Sequence, residues 1–173
     1  LDLVDKGFVT DQIVLTVGYD RESLNRGGRP YLGPVTTDPY GRQIPKHAHG
    51  SENLGEYTSS TRRIVQAALA LYDRIVDTGL LVRRIYLTAA HVAEEGAVAL
   101  LPEELQLDLF TDQRAEREKR EAEASARRRE KRMQEALLDI KRRYGKNAVL
   151  KGMNFLEGAT ARDQNQRIGG HQA

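Results

Sequence analysis

The sequence predicts an α+β fold: an antiparallel sheet with one packed helix, followed by a long charged α-helix and a flexible tail. Three observations predict it. Two stretches, 8–19 and 81–92, are rich in β-branched and aromatic residues, as strands are. Between them, residues 61–78 repeat apolar side chains at helical spacing. Beyond 110 the chain turns to Arg, Lys and Glu with alanines between, and no apolar stripe returns until Met133.

The elements follow in order. From Phe8 to Tyr19 the alternation puts Ile13, Leu15, Val17 and Tyr19 on one side of a strand. Residues 20–45 carry Gly27-Gly28, Pro30, Gly33-Pro34, Pro39 and Gly41, and read as a long loop. Residues 46–58 read as a second strand mainly from context, since Gly50 and Gly55 weaken it. Thr58, Ser59 and Ser60 offer N-caps for the helix over 61–78, and Gly79 is placed to stop it. Its stripe is Ile64, Ala68, Leu71, Tyr72 and Ile75, widened by Val65, Leu69 and Val76. In the last strand, 81–92, Val82, Ile85 and Leu87 supply the apolar content and Arg83-Arg84 sit near the start.

The charged segment carries Glu116–Arg120 and Glu123–Arg127, acid first at helical spacing, each stabilising a helix by about 0.2–0.5 kcal/mol. Met133, Leu137, Ile140 and Tyr144 then make the helix end amphipathic near Gly145. Residues 145–173 show no clear period, and Gly169-Gly170-His171 reads as a flexible end. The expected organisation is a sheet domain over 1–96, a linker over 97–110, a helix over 111–144 and a tail over 145–173.

Composition narrows the function classes. The 173 residues suffice for one modest domain plus tails. Charged residues are 30% and hydrophobics 39%, low for one compact globule, which points to a globular first half and a solvated second. The net charge of +2 does not by itself imply a nucleic-acid partner, so local arginine clusters matter more. There are no cysteines, which excludes disulfides, thiolate nucleophiles and cysteine zinc sites and suits a cytoplasmic protein. No stretch approaches the roughly 20 apolar residues of a membrane span, so no membrane partner is expected. The chain starts at Leu1 without an initiating Met, which is expected of a fragment or a processed chain.

No phosphate-binding glycine loop and no nucleophile elbow is present, and no residues are assigned catalytic or metal-ligating roles. His47-Ala48-His49 is a close histidine pair with no cysteine to complete a metal site, and reads as ordinary strand or loop. Glu94-Glu95 and Glu103-Glu104 read as solvated linker rather than catalytic pairs.

Gln106-Leu107-Asp108-Leu109-Phe110 is the most informative short segment. Two large apolar residues end a polar tether where no core is available, a costly exposure unless a partner receives them. Leu109 and Phe110 can plug a dry pocket as paired hot spots. Gln106 can hydrogen-bond at the pocket mouth, and Leu107 and Asp108 hold the segment extended. The alternative is an edge strand, which Phe110 fits poorly because it falls on the polar face. The pentapeptide resembles the one by which bacterial replication and repair proteins dock on the sliding DNA clamp.

Three further segments carry a wider resemblance. They are Val9–Asp20, the stretch from Lys46-His47-Ala48-His49-Gly50 through the Thr58–Arg63 helix start to Arg83-Arg84-Ile85, and the tail. The tail reads Arg143-Tyr144-Gly145-Lys146-Asn147-Ala148-Val149-Leu150-Lys151-Gly152-Met153-Asn154, with Gly158–Asp163 and Ile168–His171 beyond. Together they resemble the C-terminal part of Y-family translesion DNA polymerases, in the polymerase-V-like (ImpB/MucB/SamB) branch. The clamp peptide falls where such polymerases carry theirs, just after the little-finger domain.

The resemblance implies a β-α-β-β-α-β little finger. Residues 8–20, 46–58, 61–78 and 81–92 match its second strand, third strand, second helix and last strand. Its first strand and most of its first helix have no counterpart, so apolar surface is expected to stay open, with self-association through the sheet or through helix 133–144 as a consequence. The resemblance also implies non-sequence-specific DNA contacts from Arg83 and Arg84, joined by Arg62, Arg63, Lys46, His49 and Ser51. Arginine contacts phosphate with paired donors and reads no sequence. The alternative is a solvated arginine pair at a sheet edge. The family's polymerase chemistry uses acidic residues that hold two metal ions, expected as Mg2+ in the parent's palm; those residues are not in this chain, and no cofactor is expected here.

The functional expectation is therefore a DNA-binding, clamp-docking part of an error-prone polymerase in DNA damage tolerance, inactive alone. A reading from another class is a non-catalytic interaction protein. Its working part would be the charged helix, through self-association or nucleic-acid binding by Arg127-Arg128-Arg129 and Lys131-Arg132.

Overall fold

A computed structural model describes residues 1–28, 30–98 and 113–166. In chain order the elements are α1 (Asp2–Lys6), β1 (Phe8–Tyr19), a 3-10 helix (Arg21–Gly28), β2 (Val35–Thr37), β3 (Gln43–Pro45) and β4 (Ala48–Thr58). They continue as α2 (Thr61–Ile75), β5 (Val82–Ala90), β6 (Ala93–Glu94), α3 (Glu95–Val98), α4 (Gln113–Tyr144), a 3-10 turn (Gly152–Phe155) and α5 (Ala161–Gln164). The fold is α+β, as expected. It divides into two units, Gly7–Glu104 and Leu1–Lys6 with Leu105–Ala173.

In the first unit β1 lies between β4 and β5, both antiparallel to it, and β6 prolongs the β5 side by pairing with Phe8 and Val9. Alternation along β1 sorts its side chains as the sequence implies. Ile13, Leu15, Val17 and Tyr19 are buried, and the last three form one cluster with Leu71 of α2. Leu71 is fully buried at the centre of this contact, with Tyr72, Ile75 and Val76 around it. Gly50, opposite Leu15, lets the helix come close: a Cβ there would stand 3.2 Å from a Leu71 methyl and 3.3 Å from an Ile75 methyl. The glycine that makes β4 a poor strand by propensity is the one that seats α2 on it.

Ser60 caps α2, its hydroxyl accepting from the Arg63 N–H at 3.2 Å. The helix stops at Ile75, short of the expected 78. Val76 is already extended, and the Asp77 N–H donates to the Tyr19 hydroxyl at 2.9 Å. Gly79 is therefore not the stop signal; a tertiary hydrogen bond ends the helix first.

The expected loop over 20–45 is more structured than its composition suggests. Val35–Thr37 and Gln43–Pro45 form a small hairpin. Asp38 closes it by accepting from the N–H groups of Tyr40 and Arg42, both at 2.9 Å, and from the Arg42 guanidinium, which also lies over the Tyr40 ring. The expected strands 46–58 and 81–92 appear as β4 and β5, slightly shorter.

The helix α2 covers β4 and β1 but leaves β5 bare on the same side. Val82, Ile85 and Leu87 are 40%, 54% and 46% exposed. Ile85 and Leu87 stand opposite the buried Val17 and Leu15, so this is a half-covered core face, not a polar one. Apolar surface is therefore exposed along β5.

The second unit is dominated by α4. Its surface pairs include Arg114–Glu118, Arg117–Glu121, Arg127–Glu123 and Arg142–Asp139. It ends at Gly145, whose φ of 92° suits the left-handed cap and whose N–H donates to Lys141. Arg142 forms an ion pair with Asp5 of α1. Met133, Ile140 and Tyr144 of the amphipathic stripe are exposed. The tail is locally organised as far as Gln166. Asn147 donates to the Arg162 carbonyl and accepts from Asn165, while the Arg162 guanidinium lies over the Phe155 ring.

Candidate nucleic-acid interface

On the face of the sheet opposite α2, His49, Ser51, Asn53, Tyr86 and Thr88 are exposed, and strand register fixes what that face displays. Paired residues of antiparallel strands point the same way. Gln12 stands between Asn53 and Ala90, Val14 between Ser51 and Thr88, and Thr16 between His49 and Tyr86. Gly18 stands beside Arg84. None of these residues is a carboxylate. The acids of β4 go elsewhere: Glu52 pairs with Arg74 of α2 at 2.6 Å, and Glu56 with Arg63.

One end of this face gathers rings and positive charge. His49 Nδ1 is hydrogen-bonded to the Thr16 hydroxyl at 2.9 Å. The His47 ring stands edge-on to it, centroids 6.2 Å apart. Arg84 lies across the bare backbone of Gly18, where a Cβ would meet its Cγ at 3.0 Å and its Nε at 3.1 Å. Its guanidinium reaches the Tyr86 ring at 5.9 Å from the centroid, and Tyr86 is 55% exposed. Arrangements of this kind grip phosphate and expose flat rings to a ligand.

The residues expected from sequence to contact DNA fall in three places. His49, Ser51 and Arg84 share the open face, and Lys46 is exposed just before β4. Arg83 is in the strand irregularity beside Gly18 and Tyr19, and its guanidinium is held by Asp20 at 3.2 Å. That arginine and the Glu22 N–H hold the Asp20 carboxyl below its ordinary range, the N–H contributing most. Arg62 and Arg63 follow Thr58, which pairs with Thr10, at the other end of β1 from Gly18 and Arg84. Arg63 is committed internally, to Glu56 and to the Leu54 carbonyl at 2.9 Å. The expected set is thus not one patch. Gln106–Phe110 lies outside the described residues.

No protein family, curated protein or solved structure matches the chain. The site therefore rests on its own geometry. Sequence reasoning missed Tyr86, Thr16, Gly18 and Asp20. Tyr86 was within reach of it, because a residue two beyond Arg84 on a strand shares its face. The Asp20–Arg83 pair was not, since it joins the ends of two strands far apart in sequence. Among the described residues no group of three or more His, Asp or Glu is placed to hold a metal ion, and no helix is long and apolar enough to cross a membrane.

Proposed function

We propose that this chain is the DNA-binding and clamp-docking part of an error-prone translesion DNA polymerase. The unit Gly7–Glu104 holds DNA by its backbone, and Gln106–Phe110 tethers the chain to a bacterial sliding clamp. The observation that carries the DNA-binding part is the stretch of the sheet face opposite α2 from Gln12 to Gly18, whose paired residues include Arg84, His49 and Ser51 and no carboxylate. Such a face attracts phosphate without reading bases, which suits a protein that must accept damaged templates. The clamp-docking part rests on the pentapeptide. A tether makes a modest DNA grip effective by raising local concentration.

The test has two arms. The chain is titrated with a bacterial sliding clamp, beside a Leu109→Ala/Phe110→Ala variant. Binding on the order of micromolar that the variant loses supports the tether; no binding by the unaltered chain removes it. The chain is also titrated with DNA, beside Arg84→Glu and an Arg127→Glu/Arg128→Glu/Arg129→Glu variant. Loss confined to the α4 variant would transfer DNA binding to the charged helix and favour an interaction protein.

A further inference from the structure

We infer that the C-terminal turns of α4 dock on a helical partner protein whose apolar seam is edged by carboxylates. The inference goes beyond the DNA-binding and clamp-docking reading and does not rest on it.

An apolar stripe with a cationic edge carries it. Met133, Leu137, Ile140 and Tyr144 recur at spacings of four, three and four, the repeat of a two-helix seam. The stripe is only as wide as such a seam, narrower than the apolar face of a helix that lies in a membrane surface. Met133, Ile140 and Tyr144 are 58%, 38% and 75% exposed, and Leu137 is half-buried. The chain's own packing falls on another side of α4, where Gln134 is buried, Leu138 and Lys141 are half-buried and Arg142 pairs with Asp5. Fastened there and capped at Gly145, the stripe is presented already helical, so little ordering is needed on binding.

Charge selects the occupant. Arg129, Ala136 and Arg143 line one edge of the stripe at seven-residue spacing, with Arg132 beside them, and all four are exposed. The other edge carries Glu130 and Lys141. A second copy of the chain fits poorly. Paired antiparallel about Ala136, it sets Arg129 against Arg143; paired parallel, it brings level two blocks over 127–132, each with five cations and one acid. Carboxylates opposite the arginine edge turn this repulsion into attraction. A phosphate ligand would engage the arginines and leave the apolar stripe in water.

The whole chain is titrated by fluorescence anisotropy with two synthetic helical peptides of about four heptads, both with Leu at the seam positions. One carries Glu at the flanking positions and the other Lys. The Glu peptide should bind about tenfold or more tighter than the Lys peptide, and the gap should shrink as salt rises. Met133→Gln/Ile140→Gln should weaken the Glu peptide about tenfold or more, and Arg129→Glu/Arg143→Glu should reverse the preference. Circular dichroism checks that α4 is intact in both variants. Binding of neither peptide, equal binding of both, or binding that Met133→Gln/Ile140→Gln leaves unchanged overturns the inference. Sedimentation of the chain, alone and with phosphatidylserine vesicles, tests the rival occupants. A dimer or a vesicle complex that the same variant dissolves overturns the inference and gives the stripe to a second copy or to a lipid surface. No DNA or clamp is present, so none of these results bears on the reading above.

Discussion

Arg84 and Gly18 stand side by side on neighbouring strands, and the arginine stem fills the space that a side chain on Gly18 would need. The glycine therefore sets where the guanidinium points, toward Tyr86 rather than off the sheet edge. Gly18→Ala should leave the fold intact, because a flexible side chain can swing aside. DNA binding should fall about two- to fivefold, the size of an exposed cation–π contact. Anisotropy titration with the melting temperature measured in parallel checks both halves.

The two adjacent arginines should not behave alike. Arg84→Glu should weaken DNA binding on the order of tenfold at low salt, and less as salt rises. Arg83→Glu should weaken it less, because Arg83 is already spent on Asp20, and should cost stability by setting two carboxylates together. Asp20→Asn frees Arg83 and should tighten binding about twofold. A larger loss from Arg83 than from Arg84 would show that the Asp20 pair opens when DNA arrives.

The seat of α2 should be intolerant in both directions. Leu71→Ala opens a cavity in the core between α2 and the sheet and should cost about 2–5 kcal/mol. Gly50→Val drives methyls into Leu71 and Ile75 and should cost about 1–3 kcal/mol. Urea unfolding of each variant gives the comparison. A neutral Gly50→Val would mean that α2 rides higher on the sheet in solution.

Acid should loosen the unit Gly7–Glu104 in a defined window. Asp38, through its hydrogen bond to Arg42 first of all, and Asp20, through the Glu22 N–H, are both held below the ordinary value of 3.8. A carboxyl whose folded pKa is depressed binds fewer protons folded than unfolded. Its contribution is present above the unfolded pKa and is lost as pH falls through the folded one. The urea midpoint should therefore decline as pH drops below about 4, and Asp38→Asn should flatten part of that decline.

The sequence made the frame of the sheet legible because β1 is long and its alternation is unbroken from Ile13 to Tyr19. It placed α2 through the Ser60 cap and the Leu71 stripe. It missed the hairpin at 35–45, although Asp38-Pro39-Tyr40-Gly41 has the residues a tight turn prefers; the flanking strands are too short to show a period. The site was half legible. Arginines stand out in a sequence, but whether one is free or tied to an acid is decided by register, as with Arg83 and Arg84. Arg63 looked like a phosphate contact at a helix start and instead braces Glu56.

The bare flank of β5 has a consequence for motion. The strand β1 is gripped from both sides, while β5 has α2 beside it on neither face and no strand beyond it among the described residues. Its amides should exchange with solvent sooner than those of β1, and opening of the sheet should begin there. Arg84 and Tyr86 both ride on that strand. The groups that would meet the ligand thus sit on the least fastened part of the sheet, and an occupied face should slow exchange along β5 more than anywhere else in the unit.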